Sequence, residues 1–423
     1  MNRLEYGAFS QALHERQGLA RLPLTGTIEV TRRCPLVCQH CYNNLPMHDA
    51  TARSAEMTYD EHVSLLDALS AAGCLWLLYT GGEIFARRDF LDIYTAARRR
   101  GFLITLFTNG TMITERIADH LAAYRPFAIE ITLYGRTRET YERLTGIPGS
   151  FDKCLRGIQR LQARGLPLAL KTVAVTVNRH ELAGMQAFAD ELGVPFKSDA
   201  MINPRLDCSQ SPLNVRLTPE EVVALDLEDP RRADEWVRFA DHVRQALAVT
   251  PPAETIYQCG GGINTFSIDP YGGMSICVLS ETRKVDVRGG RFLDGWTGFL
   301  KAERARPVTR PTKCVACALK SACGMCPANG ELENRDPEAP VDYLCHTAHL
   351  RAHALGLEVA PHGACEYCPG GAKHGLIVEA ASRLQSQASA AAQRPVRYME
   401  DGRRLLHVIA PATATGSCGC STR

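Results

Sequence analysis

The stretch Thr31–Tyr42, which reads Thr-Arg-Arg-Cys-Pro-Leu-Val-Cys-Gln-His-Cys-Tyr, follows a short apolar run and carries three thiols on one loop. These are Cys34, Cys38 and Cys41, in a Cys-x3-Cys-x2-Cys spacing. A closed zinc or iron-sulfur site has four protein ligands, so three cysteines indicate a cluster with one iron open to a substrate or cofactor. A zinc site completed by His40 or His48 is the competing interpretation.

Short apolar runs and amphipathic stretches alternate between residues 27 and 200, which is typical of strand-helix units and a parallel sheet. Six such units predict an α/β fold, either a partial barrel or an open doubly wound sheet, with polar residues at the carboxyl ends of the strands. The predicted strands are Thr27–Thr31, Leu75–Thr80, Leu103–Thr108, Ala128–Leu133, Leu168–Val175 and Pro195–Asp199. The predicted helices are Thr58–Ala72, Arg88–Arg100, Thr114–Ala123, Phe151–Arg164 and Arg179–Leu192.

Composition limits the classes of function. The chain has 423 residues, of which 45% are hydrophobic and 22% charged, as in soluble proteins of two or three domains. The 48 Lys and Arg residues nearly balance 46 Asp and Glu residues, so we expect no nucleic-acid or membrane partner. The sequence contains no signal peptide or apolar membrane span, so we expect a cytoplasmic protein. In that reducing compartment, 17 cysteines indicate metal binding or redox chemistry.

The cysteine loop, together with Tyr-Thr-Gly-Gly-Glu at residues 79–83 after the next strand, resembles the radical S-adenosylmethionine superfamily. The resemblance implies a partial (β/α)6 TIM-like barrel in which Cys34, Cys38 and Cys41 hold a 4Fe-4S cluster. The open iron of that cluster would bind S-adenosylmethionine. The resemblance further implies an oxidoreductase-type enzyme that forms a 5′-deoxyadenosyl radical, which abstracts a hydrogen atom from the substrate.

Seven residues match positions that contact S-adenosylmethionine in this family. Bare backbone allows a ligand to approach closely, and a carboxylate complements an ammonium group. A strand lysine is more often solvated, and no general base is identified. The implied contacts are Gly81, Gly82 and Glu83 with the methionine amino group, His40 with adenine, Asn109 and Thr132 with the ribose and methionine parts, and Lys171 with the carboxylate.

A second block of cysteines reads Cys259-x12-Gly272-x4-Cys277, then Cys314-x2-Cys317-x5-Cys323-x2-Cys326, and then Cys345. This order resembles the SPASM domain of peptide-modifying radical enzymes, a twitch-type extension that carries two auxiliary 4Fe-4S clusters. With the cofactor-binding cluster, the implied total is three clusters. The resemblance assigns Cys259, Cys277 and Cys326 to the first auxiliary cluster, and Cys314, Cys317, Cys323 and Cys345 to the second.

Two features of this block depart from the family pattern. Cys323 and Cys326 are separated by two residues where the family has three, and the first auxiliary set lacks a fourth cysteine. An open iron, a non-cysteine ligand and Cys208 are the alternatives for its completion. Two zinc sites are the competing interpretation of the whole block. Gly272 is predicted to lie in a tight turn, 269–273, that returns the chain toward Cys259.

The predicted domains are an N-terminal extension 1–26, the barrel 27–215, a helical connector 216–255, the SPASM domain 256–355 and a C-terminal extension 356–423. The extension contains Cys365-x2-Cys368, a helix near Leu376–Ala392, and Cys418-x-Cys420. Metal ligation, handling of substrate thiols and an exposed tail all remain open for these cysteine pairs. Cys74 and Cys154 are expected to pack in the core.

The resemblance spans residues 20 to about 350 and is specific for the class of chemistry, not for the substrate. It favours maturation of a ribosomally made peptide, by a thioether or carbon–carbon crosslink or by epimerisation. The alternatives are protein side-chain oxidation of the sulfatase-maturase type, modification of a tetrapyrrole haem precursor, and a zinc-binding scaffold. The expected partners are a peptide or small protein and a reductant such as flavodoxin or ferredoxin. Because 33 residues precede Cys34, a separate leader-recognition protein is also expected.

Overall fold

A nine-stranded sheet organises the first of two compact units in the computed structural model of the chain. The structure describes residues 6–18, 20–228, 232–236, 238–239, 254–317 and 319–392. Within these ranges, the first unit comprises 6–216 and 260–305, and the second comprises 217–259 and 306–392. None of the helices described there is long and apolar enough to cross a membrane. Cys418 and Cys420 lie outside the described residues.

The six predicted strands are confirmed, with bounds that agree within two residues. The strands are β1 Thr25–Thr31, β2 Arg33–Cys34, β3 Leu45–Pro46, β4 Trp76–Gly81, β5 Leu103–Thr108, β6 Ala128–Thr132, β7 Leu168–Val173, β8 Phe196–Asp199, β9 Thr265–Ile268, β10 Gly273–Ser275 and β11 Val285–Asp286. The sheet order is β11-β10-β9-β1-β4-β5-β6-β7-β8, and β2 pairs separately with β3. Cys74 and Cys154 are buried, as predicted.

The order of the parallel strands distinguishes the two predicted architectures. The parallel strands lie side by side in the order β1-β4-β5-β6-β7-β8, which is also their order along the chain. A doubly wound sheet instead reverses its strand order at a switch point, with helices on both faces. Because crossovers between parallel strands are right-handed, an unreversed order puts the crossover helices on one face and leaves the other to line a barrel interior. The fold is therefore of the partial (β/α)6 barrel type.

The predicted helices also form. Thr58 and Glu61 make the predicted capping box: the Thr58 hydroxyl accepts the Glu61 N–H at 3.2 Å, and the Glu61 carboxylate accepts the Thr58 N–H at 2.7 Å. A π-helical turn, Gly295–Leu300, joins the two short helices Phe292–Asp294 and Lys301–Arg304. The helices are α1 Tyr6–Gly18, α2 Ala50–Ala55, α3 Tyr59–Ala71, α4 Phe90–Arg99, α5 Glu115–Ala123, α6 Arg138–Thr145, α7 Ser150–Ala163, α8 Leu182–Leu192, α9 Pro219–Glu228, α10 Phe292–Asp294, α11 Lys301–Arg304, α12 Lys320–Cys323, α13 Pro327–Asn334, α14 Asp342–Ala354 and α15 His374–Ala392.

The sheet continues past β1 with three short strands that the sequence analysis did not predict. Strand β9 is parallel to β1, and β10 returns antiparallel to β9. The turn predicted between them forms: Gly272 has a φ of +84°, and its N–H donates to the Asp269 carbonyl at 3.2 Å. Residues 260–305, predicted to lie in the SPASM domain, are part of the first unit.

Helices α9, α14 and α15 of the second unit pack around one apolar core. Val223, Leu350 and Ile377 contribute one buried side chain from each helix. Beside this core, the buried Asp226 carboxylate accepts from Arg232 at 2.6 Å and from Arg351 at 2.7 Å, which compensates its charge. The predicted C-terminal extension thus supplies a helix that is integral to the second unit.

Gly157 of α7 packs against the backbone at Gly110. A Cβ at Gly157 would lie 2.2 Å from the Gly110 carbonyl oxygen, whereas a Cβ at Gly184 of α8 would meet the Arg136 side chain at 3.4 Å. We expect Gly157→Ala to destabilise the fold by about 1–3 kcal/mol through overpacking. Gly184→Ala should stabilise it by up to about 1 kcal/mol through helix propensity. Thermal unfolding midpoints at one scan rate test this, and equal shifts would contradict the packing argument.

Candidate functional site

The loop that carries the three cysteines is closed by the pairing of β2 with β3. Cys34 lies in this short ladder opposite Pro46. Cys38 and Cys41 lie in the loop between the strands, where the Cys41 N–H donates to the Cys38 carbonyl at 3.1 Å. The ladder therefore holds one thiol on regular backbone and the other two on the turn that it closes.

Two distant segments hold this loop from outside, and the sequence analysis identified neither. The Arg205 guanidinium donates to the Cys41 carbonyl at 3.2 Å, and to the carbonyl and side-chain oxygens of Asn44, each at 2.8 Å. At the end of α6, the Thr145 carbonyl accepts the Val37 N–H at 2.9 Å. Arg205 lies 164 residues from Cys41 in the chain, so no local pattern signals the contact.

The surroundings of the three thiols decide whether the loop can hold an iron-sulfur cluster. Burial raises the pKa of Cys34, Cys38 and Cys41, and the pKa of Cys38 is raised further by the neighbouring Cys41 and Cys34. Three thiolates on one short loop repel each other unless a cation lies between them. Two donors already point at the Cys34 sulfur, the Leu36 N–H at 3.4 Å and the Asn109 amide at 3.6 Å. The donor set fits a cluster with three cysteine ligands.

The end of β4 lies against the segment that leads into the cysteine loop. The Gly82 N–H donates to the Thr31 carbonyl at 2.7 Å, and the Glu83 N–H donates to the Arg33 carbonyl at 3.0 Å. Gly81 has a φ of +136°, and a Cβ there would lie 2.0 Å from the Thr31 carbonyl oxygen. The chain's own backbone therefore requires glycine here. Contact of Gly81 and Gly82 with a ligand stays a prediction.

The Glu83 carboxylate is buried and accepts hydrogen bonds from its own chain. The donors are the Thr108 hydroxyl at 2.8 and 3.0 Å, the Asn109 N–H at 2.9 Å and the Phe85 N–H at 3.2 Å. Burial raises the pKa of Glu83 to about 7, although these hydrogen bonds act in the opposite direction. Glu83 thereby fixes the ends of β4 and β5 against each other. Its contact with an amino group stays a prediction.

His40 lies beside Tyr134, with ring centroids 5.5 Å apart. Burial lowers the pKa of His40 to about 4, so its ring is neutral at pH 7. The buried Nδ1 of His40 has no hydrogen-bond partner among the described residues. An unpaired polar atom in such a position is available to a polar group of a ligand. Thr132, the last residue of β6, precedes Tyr134 by two positions.

The Lys171 side chain on β7 is only 15% exposed, in contrast to the general expectation for a strand lysine. Its Nζ lies 3.4 Å from the Glu130 carboxylate and 2.7 Å from the centroid of the Phe107 ring. Lys197 lies 2.8 Å from the same carboxylate. Burial lowers the pKa of Lys171 to about 7, whereas both lysines outweigh burial and hold the pKa of Glu130 below its usual value. Thr132 is the register partner of Lys171, so these two candidates are neighbours.

Six cysteines of the second unit line one cavity of about 90 Å³: Cys314, Cys317, Cys323, Cys326, Cys345 and Cys365. Four of them form the set predicted for the second auxiliary cluster. Cys326, predicted for the first auxiliary cluster, lines the same cavity. Cys277 belongs to the first unit and Cys259 to the second, so their grouping with Cys326 stays a prediction. Cys208 lies in a tight turn with a φ of +65°.

Comparison with known proteins finds a family match over part of the chain. A model described as the Radical SAM superfamily matches residues 28–189. The PqqA peptide cyclase of Ruegeria pomeroyi is 32% identical over 171 residues, which cover 40% of this chain and 45% of the cyclase. The AdoMet-dependent heme synthase of Methanosarcina barkeri is 30% identical over 165 residues, which cover 39% of this chain and 46% of the synthase. The chain thus matches less than half the length of these curated relatives.

A solved structure shares the fold over a larger part of the chain. Streptococcus suis SuiB, bound to its precursor peptide SuiA, has a TM-score of 0.59 to this chain. The match covers 82% of this chain and 83% of SuiB, at 18% sequence identity. At that level of identity, the similarity describes the fold.

The Thr108 hydroxyl is a donor to the buried Glu83 carboxylate, and its removal leaves that carboxylate short of hydrogen bonds. We expect Thr108→Val to destabilise the fold by about 1–3 kcal/mol. Thr105, on the same strand and partly exposed, is the matched control, and Thr105→Val should shift stability by less than about 0.5 kcal/mol. Thermal midpoints of the two variants make the comparison. A Thr108→Val midpoint equal to the control would argue against the network.

Proposed function

We propose that this chain, whose residues 28–189 match the model of the Radical SAM superfamily, reductively cleaves S-adenosylmethionine and modifies a ribosomally made peptide. The observation that carries the proposal is the triad of thiols Cys34, Cys38 and Cys41 at the carboxyl edge of a parallel (β/α)6 barrel. A 4Fe-4S cluster bound there would supply one electron to the sulfonium and yield a 5′-deoxyadenosyl radical that abstracts a hydrogen atom from the substrate.

The chain's own side chains would bind and orient S-adenosylmethionine at this edge. Glu83 holds the ends of β4 and β5 together, and the Asn109 amide donates toward the Cys34 sulfur. His40 offers an unpaired ring nitrogen to the adenine. Because burial lowers the pKa of Lys171 to about 7, a bound carboxylate would favour its charged form.

Two auxiliary 4Fe-4S clusters are part of the same proposal. The second is supported by the shared cavity of its four cysteines, which are Cys314, Cys317, Cys323 and Cys345. The first is assigned to Cys259, Cys277 and Cys326 on their order in the chain. Clusters of this kind relay electrons to or from a radical site, or coordinate a substrate at an open iron.

A peptide is the substrate class that two similarities support. One relative acts on the PqqA peptide, and the structural neighbour SuiB is bound to a precursor peptide. The product would carry a thioether or carbon–carbon crosslink, or an epimerised residue. A tetrapyrrole haem precursor is the second candidate, and the similarity to the heme synthase favours it.

The proposed partners follow from this chemistry. A low-potential reductant such as flavodoxin or ferredoxin would reduce the cluster, and a separate protein would recognise the leader of the peptide. We assign the activity to the cytoplasm, because a reducing compartment keeps cluster cysteines available as thiols.

Replacement of Cys34, Cys38 and Cys41 by Ala removes the ligands of one proposed cluster only. The wild-type chain, reconstituted with iron and sulfide without oxygen, should bind about twelve irons and form 5′-deoxyadenosine. The triple variant should form none and retain about eight irons, whereas Cys74→Ala, in the core, should keep both properties. Iron analysis and chromatography of the nucleoside measure the outcome. Cleavage that persists in the triple variant would overturn the assignment, as would a colourless, zinc-replete wild-type chain.

The substrate class is tested by incubating the reduced enzyme with candidate peptides from small open reading frames beside its gene and, separately, with a haem precursor. A crosslink should lower the mass of the peptide by that of two hydrogens. Epimerisation removes one hydrogen and returns one, so in deuterated water it should replace one hydrogen of the peptide by deuterium. Mass spectrometry of both substrates distinguishes these reactions. Loss of carbon dioxide from the haem precursor, with the peptide unmodified, would favour the tetrapyrrole reaction instead.

A further inference from the structure

Four side chains of the second unit converge beside the six-cysteine cavity, and three of them, His349, His362 and Cys365, also line it. They are His349, His362, Cys365 and Cys368, and their ligand atoms all lie within 4.8 Å of one another. His349, Cys365 and Cys368 are buried, and His362 exposes only 9% of its surface. The cysteine pair was singled out in the sequence, but the two histidines were not.

The distances within this group match a single tetrahedral metal ion. The His349 Nε2 lies 3.5 Å from each of the Cys365 and Cys368 sulfurs. The two ring nitrogens of His362 lie 3.2 and 3.8 Å from the Cys368 sulfur. With zinc–sulfur bonds of about 2.3 Å and zinc–nitrogen bonds of about 2.0 Å, a tetrahedron holds sulfur and nitrogen ligands about 3.5 Å apart.

The same distances exclude the cluster types that use these ligands. A cubane cluster occupies the space between its ligands and holds the thiolate sulfurs about 6 Å apart. In a Rieske cluster, two cysteines bind one iron and two histidines bind the other, which separates the two pairs. A group confined to 4.8 Å has room for neither arrangement.

The fold prepares His349 as a ligand. His349 lies on α14, one turn after Cys345, and its Nδ1 lies 2.8 Å from the Cys345 carbonyl oxygen. A hydrogen bond from Nδ1–H to that carbonyl leaves the lone pair on Nε2, the nitrogen that faces both sulfurs. Cys345 and His349 both line the six-cysteine cavity, so the contact joins two residues of its wall.

The loop that carries the other three ligands is tightly turned and docked on α14. The Gly371 N–H donates to the Cys368 carbonyl at 2.8 Å, and a Cβ at Gly371 would lie 2.4 Å from the Glu366 carbonyl oxygen. Tyr367, between the two cysteines, is buried, and its hydroxyl donates to Asp342 on α14 at 2.9 Å. The loop therefore presents Cys365 and Cys368 toward the helix that bears His349.

We propose that His349, His362, Cys365 and Cys368 form a closed, mononuclear zinc site. Two thiolates neutralise the divalent ion, so the filled site is uncharged in its buried position. With all four positions taken by protein ligands, the site is structural. It would join the loop 362–368, and α15 that follows it, to the helix that carries Cys345. The proposal does not depend on the proposed function.

The first test uses the full-length wild-type chain, reconstituted with iron and sulfide without oxygen and then passed over a chelating resin. Elemental analysis should give about one zinc per chain, and X-ray absorption at the zinc edge should show two sulfur ligands at about 2.3 Å and two nitrogen ligands at about 2.0 Å. Because the measurement is specific for zinc, the iron clusters do not interfere with it.

Variants assign the zinc to these residues. Cys365→Ala with Cys368→Ala, and separately His349→Gln, should lower the zinc content at least tenfold, whereas Cys368→His, which restores a ligand, should retain most of it. His353→Gln, one turn further along α14, is the matched control and should keep the zinc. The triple variant at Cys34, Cys38 and Cys41 should keep its zinc while losing cofactor cleavage, which separates this proposal from the proposed function.

Three results would overturn the zinc site. The first is a wild-type chain without zinc. The second is zinc that is bound by four sulfurs, or that is retained in the double cysteine variant. The third is iron with a Rieske-type spectrum that is lost in that variant. If the variants fail to fold, as judged by circular dichroism, the absorption spectrum of the wild-type chain remains decisive.

Discussion

Direct backbone contact between residues 31–33 and 81–83 is the constraint on which the candidate site depends. Gly82 donates to the Thr31 carbonyl at 2.7 Å, and a side chain at Gly81 would collide with the same oxygen. This contact sets the end of β4 against the start of the cysteine loop. Glu83 then lies where the Thr108 hydroxyl and the Asn109 N–H reach its carboxylate. Each later element of the site is built on that close approach, because only glycine leaves room for it.

Charge inside the barrel is compensated by the chain itself at most of the buried positions that bear on the site. The Glu83 carboxylate receives hydroxyl and backbone donors, and Glu130 receives Lys171 and Lys197. Such groups are expensive to bury without partners, so their networks keep the strand ends rigid. The three thiols of the cysteine loop are different, because only a bound cation would compensate three thiolates on one short loop. The buried carboxylates therefore organise the site, whereas the three thiols are candidate ligands of a metal cluster.

In the second unit, helix α14 is the corresponding structural element. Cys345 of this helix lines the six-cysteine cavity, while its carbonyl accepts a hydrogen bond from His349 of the proposed zinc site. One turn of helix thus carries a residue of each of the two proposed metal sites. The core formed with α9 and α15 supports that turn, because Leu350 and Ile377 pack within it. A structural ion beside a cluster ligand would limit the motion of the thiolate that the cluster requires.

Local patterns in the sequence were sufficient for the strands of the barrel, the capping box at Thr58, the turn at Gly272 and the cysteine motifs, because neighbouring residues encode periodicity, caps and turns. They were not sufficient for the strand order, the addition of 265–286 to the sheet, or the clamp that Arg205 places on the cysteine loop. Nor did they predict that His349 and His362 join Cys365 and Cys368. These features bring together segments that are far apart in the chain or lack a recognisable spacing, so only the tertiary structure decides them.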